Sequence, residues 1–287
     1  MLRARDYGKE LARAIGDTYP SREAQSIANW VLEDLFNIPP HRFHERISFS
    51  EVQRLRWDDI IVRLLAHEPI QYILGYTWFY GRCFEVDPRV LIPRPETEDL
   101  CRAILTRDGG FSENCKVWEI GTGSGAIALT MSSERSDWQI LATDISSDAL
   151  RVARKNQLRY PETHSVQFAH HDIRVMNDGV STFFYGDGFD IMLSNPPYVP
   201  FSERIPERVR KYEPGIALYV PDSHPLCFYE EILRYRDYLR PNGMVCVEIH
   251  NRYANEVAGL FSQKNLGVEI HQDLHGRDRI LIARNLV

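Results

Sequence analysis

The chain has 287 residues, 44% hydrophobic and 26% charged, a composition ordinary for a globular protein and long enough for two unequal domains. Its formal net charge of −6 argues against a nucleic acid gripped by its phosphates, which calls for an excess of Lys and Arg on one face. Five cysteines with no C-x-x-C pair argue against a disulfide framework or a zinc site, no apolar run reaches about 18 residues, and the charged start Met1-Leu2-Arg3-Ala4-Arg5-Asp6 lacks a leader-like apolar stretch. No metal and no membrane span are expected, and a reducing cytoplasm is.

The first third reads as helical. A weak helix covers Arg5 to Ile15. Ala24, Ile27, Ala28, Val31, Leu32 and Leu35 then recur at helical spacing after Pro20-Ser21. Ser50-x-x-Gln53 matches a capping box, and Val52, Leu55, Ile61, Leu64 and Leu65 are expected to form the apolar stripe of the helix it starts. From Gln71 to Leu91 the residues favour strands: Tyr72, Ile73, Tyr76, Trp78, Phe79 and Tyr80 lie before Gly81-Arg82, and Phe84, Val86, Val90 and Leu91 lie after. A β-hairpin ending at Pro93-Arg94-Pro95 is expected to link two domains.

From Lys116 strands and helices alternate. Strands are expected at Lys116 to Ile120, Gln139 to Thr143, Val166 to His170, Phe189 to Ser194, Met244 to Ile249, Val268 to Leu274 and Arg279 to Ala283. Helices are expected at Ala126 to Glu134, Ser147 to Arg159, Leu226 to Tyr238 and Tyr253 to Gln263. That alternation implies an α/β fold with a mostly parallel seven-stranded sheet covered on both faces. Only Gly276-Arg277-Asp278 separates the last two strands, so they must form a hairpin and the last strand runs antiparallel. The expected domains are a helical one over 1–72, a hairpin linker over 73–95 and a Rossmann-like domain over 96–287.

Glu119-Ile120-Gly121-Thr122-Gly123-Ser124-Gly125 lies between the first of these strands and its helix. Glycines there allow a sharp turn and close approach of a ligand to the main chain. The spacing is G-x-G-x-G rather than the G-x-G-x-x-G of dinucleotide sites, which suits a nucleoside without a pyrophosphate. Asp144 ends the next strand, where a carboxylate can accept from both hydroxyls of a ribose. It could instead cap the following helix, but Ser146, Ser147 and Asp148 already supply caps. Asp172, beyond the third strand, is a candidate for an adenine amino group or simply a loop acid near a helix start.

Ser194-Asn195-Pro196-Pro197-Tyr198 follows the fourth strand. Ligands of open α/β sheets bind beyond the carboxyl ends of strands at the switch point, so Asn195 and the glycine loop should face one crevice. An amide or aryl amine nitrogen has its lone pair delocalised and is a poor nucleophile. Two acceptors that hold its N–H bonds can aim that lone pair at a methyl sulfonium. The Asn195 side-chain oxygen and the Pro196 carbonyl are two such acceptors, and successive prolines fix the carbonyl direction without adding donors. Tyr198 offers an aromatic face to a planar group. The chemistry read here is S-adenosylmethionine-dependent methylation of a planar, non-basic nitrogen, by alignment worth about 7–11 kcal/mol in favourable cases.

These residues resemble the HemK/PrmC family, the glutamine methyltransferases that modify peptide chain release factors. Further runs carry the resemblance: Glu68-Pro69-Ile70-Gln71-Tyr72-Ile73-Leu74-Gly75, Phe79-Tyr80-Gly81, Leu91-Ile92-Pro93-Arg94-Pro95-Glu96-Thr97-Glu98, Tyr212-Glu213-Pro214 with Ala217-Leu218, and Gly276-Arg277-Asp278-Arg279. The Pro-Arg-Pro-Glu-Thr-Glu run is the most specific. The resemblance implies a class I methyltransferase whose substrate is the glutamine side chain of the release-factor Gly-Gly-Gln motif. It implies that Gly121, Thr122, Gly123, Ser124, Gly125, Asp144 and Asn195 contact the cofactor. It also implies that Asn195, Pro196, Pro197 and Tyr198 hold the glutamine, and that the small helical domain helps grip the protein. Two departures stand out: Ile173 follows Asp172 where many members carry an aromatic residue, and Glu248-Ile249-His250 replaces a common Glu-x-Gly, so His250 is given no role.

The stretch from Val199 to Pro225 reads as a long loop, with Arg204, Arg208, Arg210 and Lys211 making it a solvated loop or a lid over substrate. A monomer acting on a release factor is expected. Two other readings stay open: an adenine amino methyltransferase acting on nucleic acid, and a non-catalytic S-adenosylmethionine-binding module.

Overall fold

The computed structural model describes residues 2–106, 113–176 and 188–286. The chain forms two compact units. One is built from the chain up to Tyr76 together with Ile205–Tyr212, the other from Thr77–Arg204 and the chain from Glu213 onward.

The first unit is helical. A short antiparallel pair, β1 (Leu2–Arg3) and β2 (Arg46–Ile47), frames α1 (Ala4–Ala14), α2 (Ser21–Phe36), α3 (Glu51–Leu65) and α4 (Ile70–Leu74). Helix α2 buries Ala24, Ile27, Ala28, Val31, Leu32 and Leu35, the stripe its spacing implies. At the start of α3 the Gln53 amide donates to Ser50 Oγ at 3.2 Å and the Ser50 amide donates to Gln53 Oε1 at 3.0 Å, the reciprocal pair of a capping box. The stripe expected for α3 is only partly right: Leu64 is buried and Ile61 packs against the core, but Val52, Leu55 and Leu65 are exposed, and the helix buries Trp57 and Ile60 instead. Trp57 decides the rotation, because its ring packs edge-on against Phe49 at 5.3 Å and carries more apolar area than the valine and leucine left outside. Residues 70–74 are helical too, not the start of a strand as expected; the helix closes on Gly75 in the left-handed conformation, a common helix stop.

A hairpin of β3 (Tyr76–Phe79) and β4 (Arg82–Glu85) starts at Tyr76, the last residue of the first unit's leading stretch, and otherwise belongs to the second unit. Helix α5 (Pro95–Leu105) follows, where no helix was expected. Its start is legible afterwards: Pro95 occupies the first turn beside Glu96 and Glu98, proline fitting the position without a donor to lose and the acids facing the positive end of the helix dipole.

The remaining elements are β5 (Lys116–Ile120), α6 (Ala126–Glu134), β6 (Gln139–Asp144), α7 (Ser147–Gln157), β7 (Val166–His170), β8 (Phe189–Ser194), β9 (Val199–Pro200), α8 (Glu207–Tyr212, in the helical unit), β10 (Tyr219–Val220), α9 (Cys227–Arg234), β11 (Leu239–Glu248), α10 (Ala254–Ser262), β12 (Leu266–Gln272) and β13 (Asp278–Asn285). Seven strands form one sheet in the order β12-β13-β11-β8-β5-β6-β7. Strand β13 is antiparallel to both β11 and β12, and the other pairs are parallel. This is the class I methyltransferase arrangement, α/β with an antiparallel last strand. The order reverses between β5 and β8, which makes their carboxyl ends the switch point.

Both sheet faces are buried, as a parallel sheet requires. Val117, Ile140, Ile191 and Cys246 pack with α5 and α6 on one side. Trp118, Leu141, Met192 and Val247 pack with α9 and α10 on the other. The expected loop after Tyr198 is largely ordered instead: β9 pairs in parallel with β10, and α8 lies between them in sequence. Two of its cations are engaged inside the helical unit, Arg208 with Glu23 at 2.6 Å and Lys211 with the Ala66 carbonyl at 3.3 Å.

Candidate active site

Strand β5 ends in a buried acid. Glu119 is 0% exposed, and its Oε2 accepts from Thr122 Oγ1 at 2.6 Å and from the Ala128 amide at 3.1 Å. One carboxyl group thus ties the glycine loop to the first turn of α6. Burial pushes that carboxyl up to about 8, against the pull of the two hydrogen bonds. The loop is closed from the other side by Thr143, whose carbonyl takes the Gly121 and Thr122 amides at 2.8 and 2.9 Å. Asn156 of α7 holds the Ser124 carbonyl at 2.9 Å and pairs through both ends of its amide with Glu85.

Gly121 and Gly123 have φ of +75° and +56°, and a side chain built on either would meet open space. Both line a cleft of about 950 Å³, counted to its mouth, at the switch point. Its wall continues through Asp144, Asp172, Ile173 and Asn195.

Asp144 is fixed by backbone donors on both oxygens. Its Oδ2 accepts the Gly123 amide and its Oδ1 the Ser146 amide, both at 2.8 Å. Each oxygen keeps a further lone pair, so the pair can accept from two vicinal hydroxyls. The cap of α7 is Ser146 Oγ, not Asp144. Desolvation raises the Asp144 carboxyl above its usual value, and the backbone donors oppose that. Asp172 lies in the same wall, but Arg174 forks onto both its oxygens at 2.8 Å and holds the carboxyl below its usual value. Ile173 lies beside it as an apolar surface, 8% exposed.

The remaining expected residues divide. Pro196 and Pro197 line the cleft with Asn195. Thr122, Ser124 and Gly125 lie behind its wall; the Thr122 side chain is spent on Glu119. Tyr198 is also off the wall: its hydroxyl donates to Glu248 Oε1 at 2.8 Å and its ring meets His250 edge-on at 5.8 Å. His250 takes the Arg252 amide on Nδ1 at 3.1 Å, so its proton sits on Nε2, 3.2 Å from Glu203 Oε1. It starts the following 3₁₀ turn and is not poised over the cleft.

Sequence reasoning gave no role to Thr97 and Glu248. Asn195 Nδ2 donates to Thr97 Oγ1 at 3.0 Å, and Thr97 Oγ1 donates to Glu248 Oε2 at 2.7 Å. Both are buried, 4% and 1% exposed. Among the described residues Asn195 Oδ1 has no protein donor, and Asn195 lines the cleft. The missed signal was the start of α5, which would have put Thr97 on a helix.

The lining fits a nucleoside: a carboxylate that can accept from ribose hydroxyls, glycines open to close approach, and apolar walls at Ile145, Ala149 and Ile173. Among the described residues no group of His, Cys, Asp or Glu could hold a metal ion, and no helix is long and apolar enough to cross a membrane.

Comparison with known proteins bears on the fold and the family. Residues 111–276 match a family model described as a methyltransferase domain, and residues 5–75 one described as the PrmC N-terminal domain. A release factor glutamine methyltransferase from Bacteroides thetaiotaomicron is 35% identical over 95% of this chain and 97% of its own length. One from Neisseria gonorrhoeae is 38% identical over 80% of this chain and 82% of its own. A methyltransferase structure from Pyrococcus furiosus shares the fold at a TM-score of 0.51 and 17% identity, covering 83% of this chain and all of that one.

Proposed function

The chain belongs to the release factor glutamine methyltransferase family, and from that premise we propose that it methylates the side-chain amide nitrogen of the glutamine in the Gly-Gly-Gln motif of a peptide chain release factor. S-adenosylmethionine supplies an electrophilic methyl group on a sulfonium sulfur. Gly121, Gly123 and Asp144 would hold its nucleoside, with Asp172 and Ile173 toward the base. Asn195 Oδ1 and the Pro196 carbonyl would each accept one N–H of the glutamine amide. Held so, the amide nitrogen would present its lone pair to the methyl group; as the new N–C bond forms the methyl–sulfur bond breaks with its electron pair left on sulfur, and the methylated nitrogen, now strongly acidic, passes one N–H proton to water. The helical unit, with its own core and separate family model, is proposed to help grip the protein substrate.

The observation that carries this reading is the Asn195 amide. Its nitrogen is engaged by Thr97, which leaves the oxygen of this cleft-lining residue as its acceptor for a substrate. Acceptors are what an amide substrate needs; a general base is not.

The test is incubation with methyl-labelled cofactor and a release factor, its Gln→Ala variant, or DNA. Label on the wild-type factor alone is expected. Label on DNA would establish the adenine reading, and cofactor binding without transfer the non-catalytic one. Asn195→Ala is expected to lower kcat by about 100-fold or more, the scale for losing one aligned transition-state hydrogen bond.

A further inference from the structure

The polar groups behind Asn195 form a chain with a direction. Glu248, at the end of β11, accepts Thr97 Oγ1 on one oxygen and Tyr198 Oη on the other. A carboxylate can only accept, and a threonine hydroxyl has one proton. That proton is spent on Glu248, so toward residue 195 the Thr97 oxygen can only accept. It takes Nδ2 at 3.0 Å. The two ends of an asparagine amide are nearly equal in size and shape, so packing alone does not choose between them. Burial raises the Glu248 carboxyl above its usual value, and the hydrogen bonds from Thr97 and Tyr198 and the charge of Arg279 limit that rise.

We propose that Glu248, acting through Thr97, sets the flip of the Asn195 amide, so that an acceptor and not a donor faces the nitrogen to be methylated. Thr97, Glu248 and Tyr198 are then positioning residues. Tyr198 keeps Glu248 in place through its hydroxyl, and the Pro-Arg-Pro-Glu-Thr-Glu run has a catalytic reason for its threonine. The inference rests on the reading of Asn195 as an acceptor.

Glu248→Gln keeps shape and reverses the chain. With Tyr198 Oη still donating to Oε1, the new Nε2 donates to Thr97, Thr97 donates to residue 195, and Asn195 turns Nδ2 to the cleft. At saturating cofactor, kcat for the release factor is expected to fall about 100-fold. Adding Asn195→Asp puts an acceptor in the cleft whichever way Thr97 points, and leaves one carboxylate in the network as before. E248Q/N195D is expected to recover about tenfold over E248Q, roughly 1.4 kcal/mol of the barrier, and to exceed N195D alone, where two carboxylates compete for one hydroxyl. A folding defect would not produce that rescue. Wild-type kcat in E248Q, or no recovery in the double variant, overturns the proposal. If E248Q does not fold, Thr97→Val and Thr97→Ser replace it: loss in the valine variant with retention in the serine variant is expected, and equal kcat in the two overturns the proposal. Full activity in Asn195→Ala would instead sink the acceptor reading beneath it.

Discussion

Arg94 Nη2 meets Glu213 Oε1 at 2.5 Å, across 119 residues of sequence. The other Glu213 oxygen takes the Ile92 amide at 3.1 Å. The Glu213 side chain is 1% exposed and Arg94 32%, so one acid fastens the segment before α5 to the segment after α8. Glu213→Ala removes the partner of a cation and of a buried amide together. It should lower stability by about 2–3 kcal/mol, less than the 3–5 of a fully enclosed pair because water still reaches Arg94. Urea denaturation checks this; a midpoint unchanged from wild type would deny the clamp.

Two glycines of the loop should separate binding from stability. Gly123 has open space where a side chain would go, whereas at Gly125 a Cβ would lie 3.2 Å from both Ala153 and Leu129 and 3.3 Å from Phe168. Both are left-handed, which costs an alanine about 1–2 kcal/mol. Gly125→Ala adds a packing conflict of about 1–3 kcal/mol and should give the lower melting temperature. Gly123→Ala puts a methyl group on the cleft wall and should weaken cofactor binding by about tenfold, or 1.4 kcal/mol. Calorimetric titration and thermal melts of both variants give the comparison, and the reverse ranking would contradict it.

Glu119 makes stability depend on pH with a definite sign. Its carboxyl is raised to about 8 in the folded chain from 4.5. Between those values the folded state keeps a proton that the unfolded state releases. Its contribution is complete below the unfolded value, declines by about 1.4 kcal/mol per pH unit, and is gone above the folded one. Glu119→Gln cannot release that proton. Unfolding free energy measured from pH 5 to 9 should therefore fall less steeply in the variant, by close to one proton. Parallel curves would mean that Glu119 is ionised in the fold.

His250 offers a control. Its ring nitrogens are occupied by the Arg252 amide and Glu203, and nothing in amide methylation calls for a base. Asparagine can cap the same turn through its side-chain oxygen. His250→Asn should keep its turnover and the shape of its pH profile; disappearance of an inflection near neutrality would make the histidine a participant.

Much of this architecture is legible in the sequence. The α2 stripe, the Ser50–Gln53 box, the strand at Lys116–Ile120 and the one at Phe189–Ser194 are local patterns, set by periodicity and capping within a few residues. The G-x-G-x-G loop, Asp144 and the Asn-Pro-Pro-Tyr run were readable for the same reason: each is a short segment at the carboxyl end of a strand, and the strand alternation alone brings such ends together. The errors were also local. Strand-favouring aromatics at Tyr72 and Ile73 were overridden by a helix that Gly75 closes. The α3 stripe turned on which of several apolar residues found a partner, and Trp57 won.

The sequence by itself determined the seven strands of the sheet and the segments at Gly121, Asp144 and Asn195 that reach the cleft, because those follow from short-range preferences and from the topology of a parallel sheet. Which way the Asn195 amide lies was decided only by tertiary structure. That orientation depends on a hydroxyl 98 positions away in the chain and on a carboxylate 151 positions from that hydroxyl. Hydrogen-bond direction passes between groups that touch, and Thr97, Asn195 and Glu248 touch only once the sheet and α5 have packed.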